Sequence, residues 1–161
     1  MSLNIRRAGP GEAGLVLSFI RELAEYEKLS HEVEATEPMI AEALFGGDPR
    51  LYCAIAEWDG EAAGFAVWFV NFSTFSGRHG IYLEDLYVRP SHRGRGLGKA
   101  LLVHLAKECV ENGWSRLQWA VLDWNAPSIA FYKSLGADLM DDWTLCRVTG
   151  PALTRLAGSR S

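Results

Sequence analysis

A ten-residue stretch in the middle of the chain, HRGRGLGKAL (92–101), combines three glycines with the basic residues Arg93, Arg95 and Lys99. The apolar periodic segment that follows it predicts a helix. A glycine-rich turn that leads into a helix points successive backbone N–H groups at one place, where the helix dipole adds partial positive charge. The stretch is therefore suited to holding a diphosphate. The alternative is a flexible turn with solvated basic side chains.

The spacing of these residues excludes two common phosphate-binding motifs. A Walker-type loop needs a glycine where Arg93 stands, and a Ser or Thr after its Gly-Lys pair, where Ala100 stands. The dinucleotide fingerprint G-x-G-x-x-G fails because Lys99 occupies the position of its third glycine. The residues thus indicate a cationic diphosphate site that has no magnesium ligand.

Two residues outside the loop could move protons. Glu84 lies in YLEDLYV, on the strand that leads into the loop, and could act as a general base. Tyr132 lies in a helical segment after Asn125 and could act as a general acid. The alternatives are an edge-strand carboxylate in a salt bridge for Glu84 and a core aromatic for Tyr132. Strand alternation predicts that Asp85 points to the opposite face from Glu84 unless a bulge intervenes.

An acidic segment near the N-terminus could attract a cation. ELAEYEKLSHEVEATE (22–37) holds six carboxylates and one lysine. The carboxylates belong to Glu22, Glu25, Glu27, Glu32, Glu34 and Glu37. Such a region would draw a cationic amine toward it. A solvated acidic helix face is the other interpretation.

Composition limits the class of protein that could carry these residues. The 161 residues are 48% apolar, which is enough for one globular domain spanning 1–161. A net charge of −4 disfavours non-specific binding to nucleic acid. The sequence has no apolar signal core and no apolar run as long as a membrane span, so it predicts a cytoplasmic protein without a membrane partner. No metal-ligand spacing occurs, and Cys53, Cys109 and Cys146 are predicted to be small buried hydrophobes.

The remaining residues predict the elements that position these groups. Strands are expected at 3–7, 51–58, 62–72, 81–88, 117–122 and 143–148, and helices around 16–23, 37–44, 99–112 and 125–136. Asp59-Gly60 predicts a hairpin between the second and third strands. Early hairpins followed by strand–helix–strand crossovers predict an α/β fold with a single mixed sheet, antiparallel then parallel, flanked by helices. The last residues, LAGSRS, are expected to be frayed.

The motifs together resemble those of a known family. VRPSHRGRGLGKALL resembles the Q/R-x-x-G-x-G/A loop of the GNAT superfamily of N-acetyltransferases, with matches at Arg93, Gly96 and Gly98. ELAEYE, YLEDLYV and WNAPSIAFYKSLGA are similar to the spermidine/spermine (diamine) and thialysine acetyltransferase branch. The resemblance implies the GNAT fold, acetyl-CoA as the acetyl donor, direct transfer to a small cationic amine, and a homodimer.

The resemblance also implies roles for individual residues. It makes Glu84 the base and Tyr132 the general acid, and it has Tyr26 and Glu27 bind the amine together with Glu84. The residues implied to bind acetyl-CoA are Leu86, Tyr87, Val88, Arg93, Gly94, Arg95, Gly96, Leu97, Gly98, Lys99, Asn125, Ser128 and Tyr132.

Some alternatives stay open at this point. The loop FSTFSGRHG (72–80) lacks the Asp and Trp that the polyamine enzymes of this branch carry, so a polyamine, a diamine and a lysine-like amine are equally possible acceptors. An amine with a pKa of about 10.4 is almost entirely protonated at pH 7, and a Glu with an ordinary pKa of about 4.3 is a weak base for it. A protein N-acetyltransferase and a non-catalytic acyl-CoA-binding domain are the two rival functions.

Overall fold

The computed structural model of the chain describes residues 2–160. These residues divide after Leu122 into two compact units. The first unit has five strands and three helices: β1 (Leu3–Arg7), α1 (Ala13–Tyr26), α2 (Glu37–Phe45), β2 (Tyr52–Trp58), β3 (Glu61–Ser73), β4 (Arg78–Val88), α3 (Leu97–Asn112) and β5 (Leu117–Gln118). The second unit has two helices, α4 (Ala126–Ser134) and α5 (Gly150–Ala157).

The five strands form one mixed sheet in the order β1-β2-β3-β4-β5. The first three pairings are antiparallel, and β4 pairs with β5 in parallel. This arrangement confirms the predicted mixed sheet. The hairpin at Asp59-Gly60 also forms as predicted, because both residues adopt the positive φ values, +50° and +83°, that a tight two-residue turn needs.

The main core lies between α1, α2 and one face of the sheet. Phe19 of α1 stacks on Phe65 of β3 with ring centroids 5.1 Å apart, and it meets the Tyr87 ring of β4 at 6.4 Å. These three side chains are almost completely withdrawn from solvent. The core therefore holds the C-terminal half of β4 against α1, so that residues from distant parts of the sequence meet there.

The helix after the glycine loop buries the apolar stripe that its sequence predicts. Its buried residues are Leu97, Leu101, Leu102, Leu105 and Cys109. The helix starts at Leu97, two residues before the predicted start, because Gly96 takes a left-handed conformation as its N-cap. Gly113 ends it, as expected, also in the left-handed region.

Three predictions about the C-terminal part of the chain are wrong. Residues 143–148 form no strand, and the strand expected at 117–122 is reduced to Leu117–Gln118. Residues with high β propensity become a strand only when a neighbouring strand accepts their backbone hydrogen bonds. Helix α5 covers Gly150–Ala157, so Leu156 and Ala157 of the end that was expected to be frayed are helical. Thr149 precedes this helix, and Pro151 lies in its first turn, where a missing N–H has no consequence.

Two further properties follow from the described part of the chain. Cys146 is exposed, contrary to its predicted burial, since the strand that would have buried it does not form. Cys53 and Cys109 are buried as predicted. None of the helices between residues 2 and 160 is both long and apolar enough to cross a membrane.

Candidate active site

A bulge in β4 lies at the predicted base. Trp68 of β3 pairs with Leu83, and the preceding residue, Val67, pairs with Asp85, so that Glu84 is an extra residue without a partner on β3. An extra residue interrupts strict alternation and re-aims the neighbouring side chains. Strand alternation predicted that Asp85 and Glu84 point to opposite faces of the sheet unless a bulge intervenes. Because the bulge is present, Asp85 is considered together with Glu84.

Asp85 is the most perturbed carboxyl group in this region. Burial, together with the negative charges of Glu84 and Glu27, raises the pKa of Asp85 to about 7. Burial also raises the pKa of Glu27. Glu84 itself is exposed. The bulge and the end of α1 thus bring three carboxyl groups close enough to influence one another, and one of them titrates near neutral pH.

The end of α1 positions the predicted acceptor residues. The helix ends at Tyr26, and the backbone N–H of Glu27 still donates to the carbonyl of Leu23 at 2.9 Å. Lys28 then takes a positive φ of +62°, which terminates the helix. Glu27 is therefore held on the last turn of a packed helix. The predicted acceptor residues Tyr26 and Glu27 therefore lie near the end of β4 and near the glycine loop.

Arg93 connects these parts of the site. Its Nε donates to the carbonyl oxygen of Val88 at 3.0 Å. Its guanidinium lies 4.8 Å from the ring centroid of Tyr26 and 5.7 Å from that of Tyr87. Stacking of a guanidinium on an aromatic face is favourable, and it orders a side chain that is otherwise exposed. The first residue of the loop motif therefore bridges the end of β4 and the predicted acceptor residue Tyr26.

Arg89 and Glu22 form a second connection that the sequence analysis missed. The Arg89 guanidinium pairs with the Glu22 carboxylate at 3.1 Å, lies 4.5 Å from the Phe19 ring and donates to the carbonyl of Ala62. Glu22 is thus neutralised by an ion pair, and it does not contribute a free charge to the acidic segment. No local signal distinguished Arg89 from the other basic residues, because its partners are 27 and 67 positions away.

The glycine loop is open to solvent at the start of α3. Gly94 and Gly96 have φ values of +78° and +84°, and a Cβ at either position would meet no atom within 4 Å. Packing within the chain therefore does not require a glycine at position 96. Its left-handed backbone conformation does. Arg95 lies over the Trp58 ring at 5.2 Å, Leu97 is buried, and Gly98 is the second residue of the helix.

A hollow of about 450 Å³ lies next to this loop, between β1 and α3. Gly96, Lys99, His104 and Lys107 contribute to its lining. Lys99 lies in the first turn of α3 and Lys107 about two turns further along the helix, and together they make this hollow electropositive, which suits an anion with several phosphate oxygens.

In the described part of the chain, the pairing of β4 with β5 ends before the bulge. β5 pairs with β4 only at Ile81 and Tyr82, and the pairing does not extend to Leu86–Val88. On the other side, Leu86, Tyr87 and Val88 pair with β3 in the normal way. Among the strands described between residues 2 and 160, only β3 pairs with the segment predicted to contact the donor through its backbone. Between residues 2 and 160, no three His, Cys, Asp or Glu side chains converge closely enough to hold a metal ion.

The remaining predicted residues belong to the second unit. The side chain of Asn125 is buried and accepts a hydrogen bond from the backbone N–H of Ser128 at 3.4 Å, which makes it the N-cap of α4. Tyr132 lies two turns further along and is half-buried, with its ring 5.6 Å from that of Phe131. The predicted helix, its cap and its end near Gly136 are confirmed.

Comparison with known proteins identifies the class to which this fold and loop belong. Residues 18–137 match the Acetyltransferase (GNAT) family. The chain is 40% identical to thialysine N-epsilon-acetyltransferase of Bos taurus, with 96% of both chains covered. It is 31% identical, over 95% of its length, to the human spermidine/spermine N(1)-acetyltransferase-like protein 1, of which it covers 23%. Among solved structures, integron cassette protein VCH_CASS6 of V. cholerae is similar, with a TM-score of 0.81, 31% identity and 99% of both chains covered.

The fold and the comparisons together define an acyltransferase. The chain belongs to the GNAT family and is an N-acetyltransferase. The resemblance seen in the motifs, including its closeness to the thialysine and spermidine/spermine branch, is confirmed.

The burial of Asp85 leads to a prediction about stability. The folded state raises the pKa of Asp85 to about 7, so the folded protein binds a proton that the unfolded chain has released between about pH 4 and pH 7. Stability from this group is therefore lost as the pH rises through that window. We expect Asp85→Asn to raise the melting temperature, and to raise it more at pH 8 than at pH 5. Thermal melts at both pH values test this, with Glu61→Gln, which changes an exposed carboxylate on β3, as the control. An equal shift at both pH values would contradict it.

Proposed function

We propose that the chain transfers the acetyl group of acetyl-CoA directly to the primary amine of a small cationic acceptor. The observation that carries this proposal is the group of three carboxyls, Glu27, Glu84 and Asp85, beside the end of the strand that leads into the glycine loop. A polyamine, a diamine and a lysine-like amine all carry the positive charge that this group would attract. The similarity to a thialysine N-epsilon-acetyltransferase favours a lysine-like acceptor among them.

The glycine loop and the strand end are proposed to hold the donor. Backbone N–H groups of the loop at the start of α3, together with Arg93, Arg95 and Lys99, would bind the diphosphate. The backbone of Leu86–Val88, where β5 no longer pairs with β4, would contact the pantetheine and donate to the thioester carbonyl. Asn125 and Ser128 would bind the same arm of the donor.

The three carboxyls are proposed both to bind the acceptor and to remove its proton. Glu27 attracts the ammonium form of the acceptor, and Glu84 accepts the proton that must leave before the nitrogen can attack. A base works best when its pKa lies near the working pH. Asp85, which has a pKa of about 7 next to Glu84, therefore extends the proposed base to a pair of carboxyls. Tyr132 then donates its hydroxyl proton to the departing thiolate.

The homodimer implied by the family resemblance is retained as part of the proposal, and so is a mechanism that uses no metal ion. The proposed reaction involves neither a nucleic acid nor a membrane. No side chain is proposed to carry the acetyl group between donor and acceptor, since Cys53 and Cys109 are buried and Cys146 lies outside every donor motif.

An amine panel tests the proposed function. Thialysine, lysine, putrescine, spermidine and a lysine-containing peptide are each assayed by release of the CoA thiol from acetyl-CoA. We expect small cationic amines to be acetylated with a much higher kcat/KM than the peptide. Acetylation of the peptide alone would support the rival function, a protein acetyltransferase. If none of the amines led to release of the CoA thiol, the proposal would be contradicted.

A substitution at the end of α1 tests acceptor binding. Glu27→Gln removes one charge from a partly desolvated position, so we expect KM for the amine to rise about tenfold, which corresponds to about 1.4 kcal/mol. KM for acetyl-CoA should stay unchanged. The matched control is Glu25→Gln, an exposed glutamate on the same helix end, which should leave both constants unchanged. An unchanged KM for the amine in Glu27→Gln would show that this segment is an ordinary solvated acidic surface.

A further inference from the structure

We infer that Arg93 couples the binding of the two substrates: a donor bound at the glycine loop holds the Arg93 guanidinium against the ring of Tyr26, and this tightens binding of the amine. The inference rests on the proposed function, because it takes the donor to bind at the loop and the acceptor at the end of α1. It adds a thermodynamic link between the two sites that neither site needs for its own binding.

The first observation is the position of the Arg93 side chain. Arg93 is the first residue of the loop motif, and Tyr26 is the last residue of α1, 67 positions earlier in the chain. The guanidinium carbon of Arg93 lies over the Tyr26 ring, 4.8 Å from its centroid. The same side chain therefore belongs to the donor loop by sequence and touches a proposed acceptor residue.

The second observation is the way in which Arg93 is held at the end of β4. Its Nε donates to the carbonyl oxygen of Val88 at 3.0 Å, and its guanidinium lies 5.7 Å from the ring centroid of Tyr87. The Tyr87 ring is itself buried, and its hydroxyl donates to Glu22 at 3.4 Å. The guanidinium thus rests on a rigid part of the molecule.

Stacking on a ring and binding a phosphate use different parts of a guanidinium. The planar face lies on the aromatic ring, whereas the N–H groups point outward along the edge and bind phosphate oxygens in the plane. Arg93 can therefore keep its contact with Tyr26 while its terminal nitrogens bind a diphosphate. A bound diphosphate would fix the guanidinium more firmly, and the ring of Tyr26 with it.

The third observation is that the other two basic residues of the loop have different surroundings. Arg95 lies over the ring of Trp58, on a strand to which no acceptor residue is assigned. Lys99 lines the hollow between β1 and α3. Of the three cationic side chains proposed to bind the diphosphate, Arg93 is the one placed over the ring of a proposed acceptor residue. This makes Arg95 a matched control for Arg93.

The size of the coupling follows from the kind of contact. Arg93 is exposed and Tyr26 is half-buried, so ordering their side chains costs conformational entropy. When the donor has already ordered Arg93, the amine meets a more ordered Tyr26 and binds more tightly. An exposed guanidinium–ring contact predicts an effect of about two- to fivefold. Because coupling is reciprocal, the amine should tighten binding of the donor by the same factor.

Calorimetric titration of thialysine tests the coupling, first without and then with saturating CoA, which has no acetyl group to transfer. We expect CoA to lower the Kd for thialysine about two- to fivefold in the wild-type protein. Tyr26→Phe keeps the ring and should keep this ratio. Tyr26→Leu removes the ring, and Arg93→Lys keeps the charge but has no planar face, so both should bring the ratio to about one.

Arg95→Lys is the matched control, because it changes a stacked arginine of the same loop. It should weaken binding of CoA but keep the ratio of the two Kd values for thialysine. A ratio of one in the wild-type protein would overturn the inference. So would an undiminished ratio in Tyr26→Leu or in Arg93→Lys, since the stacked contact would then not carry the coupling.

A second readout needs no amine. The backbone N–H groups of Glu27, Lys28 and Leu29 donate to carbonyls in the last turns of α1. We expect CoA to slow hydrogen exchange at these three amides about two- to fivefold in the wild-type protein and in Tyr26→Phe, but not in Arg93→Lys. Equal slowing in Arg93→Lys would overturn the inference.

The two readouts separate the coupling from the proposed function. If CoA binds and amines are acetylated, while neither the Kd for thialysine nor hydrogen exchange responds to CoA, the coupling fails and the proposed function stands. If CoA does not bind to the wild-type protein, the proposed function fails, and the coupling fails with it.

Discussion

Tyr132→Phe is expected to lower kcat by about 10²–10⁴-fold, which is the usual contribution of a general acid. The change deletes only the hydroxyl that we propose to protonate the departing thiolate. The ring, which lies beside Phe131 on α4, keeps its packing. Affinity for acetyl-CoA should change little, although loss of one hydrogen bond could weaken it by about 1 kcal/mol.

The measurement is kcat at saturating amine together with a thermal melt of the same preparation. Tyr52→Phe is a suitable control, because Tyr52 is also half-buried but lies on β2, a strand to which no site residue is assigned. It should turn over at the wild-type rate. A core role for Tyr132 makes the opposite prediction, namely normal turnover with a lower melting temperature. Wild-type turnover in Tyr132→Phe would remove this residue from the mechanism and leave proton transfer to the carboxyls of β4.

Gly96→Val is expected to weaken binding of acetyl-CoA by about ten- to a hundredfold. A charge-assisted hydrogen bond contributes about 1.5–3 kcal/mol, and a side chain at Gly96 would keep the diphosphate from at least one backbone N–H. The substitution also strains the backbone, since φ is +84° at this position. A strained loop could lose affinity for that reason alone, so a control with the same strain is needed.

Gly113 provides this control at the other end of the same helix. Its φ is +71°, and a Cβ there would also meet no atom within 4 Å. Gly113→Val should therefore reduce stability as much as Gly96→Val does, but leave acetyl-CoA binding unchanged. Calorimetric titration of the two folded variants decides the question. Equal affinities in both variants and the wild type would show that the loop does not hold the diphosphate.

Features of the site that depend on local sequence were predictable. The glycine loop, the Asp59-Gly60 turn and the Asn125 cap each follow from a few consecutive residues, because positive φ values and caps are requirements of single positions. The apolar stripe of α3 followed from its spacing for the same reason.

Features that depend on contacts between distant residues were not predictable. The bulge that leaves Glu84 unpaired is a matter of register between β3 and β4, and nothing in YLEDLYV specifies it. The raised pKa of Asp85 comes chiefly from burial, and then from the charges of Glu84 and of Glu27, which lies 58 positions earlier in the chain. The stacking of Arg93 on Tyr26 and the pairing of Arg89 with Glu22 likewise exist only once α1 has packed against the end of β4.

By itself, the sequence determined which residues could form a diphosphate loop, which could carry charge or protons, and in what order most helices and strands follow one another. These properties reside in single side chains and short periodic patterns. The tertiary structure decided which carboxyls share one environment, which arginines are already engaged, and that WTLCRV forms no strand within the chain. A carboxyl changes its pKa only through burial and neighbouring charges, and a strand exists only where a second strand pairs with it.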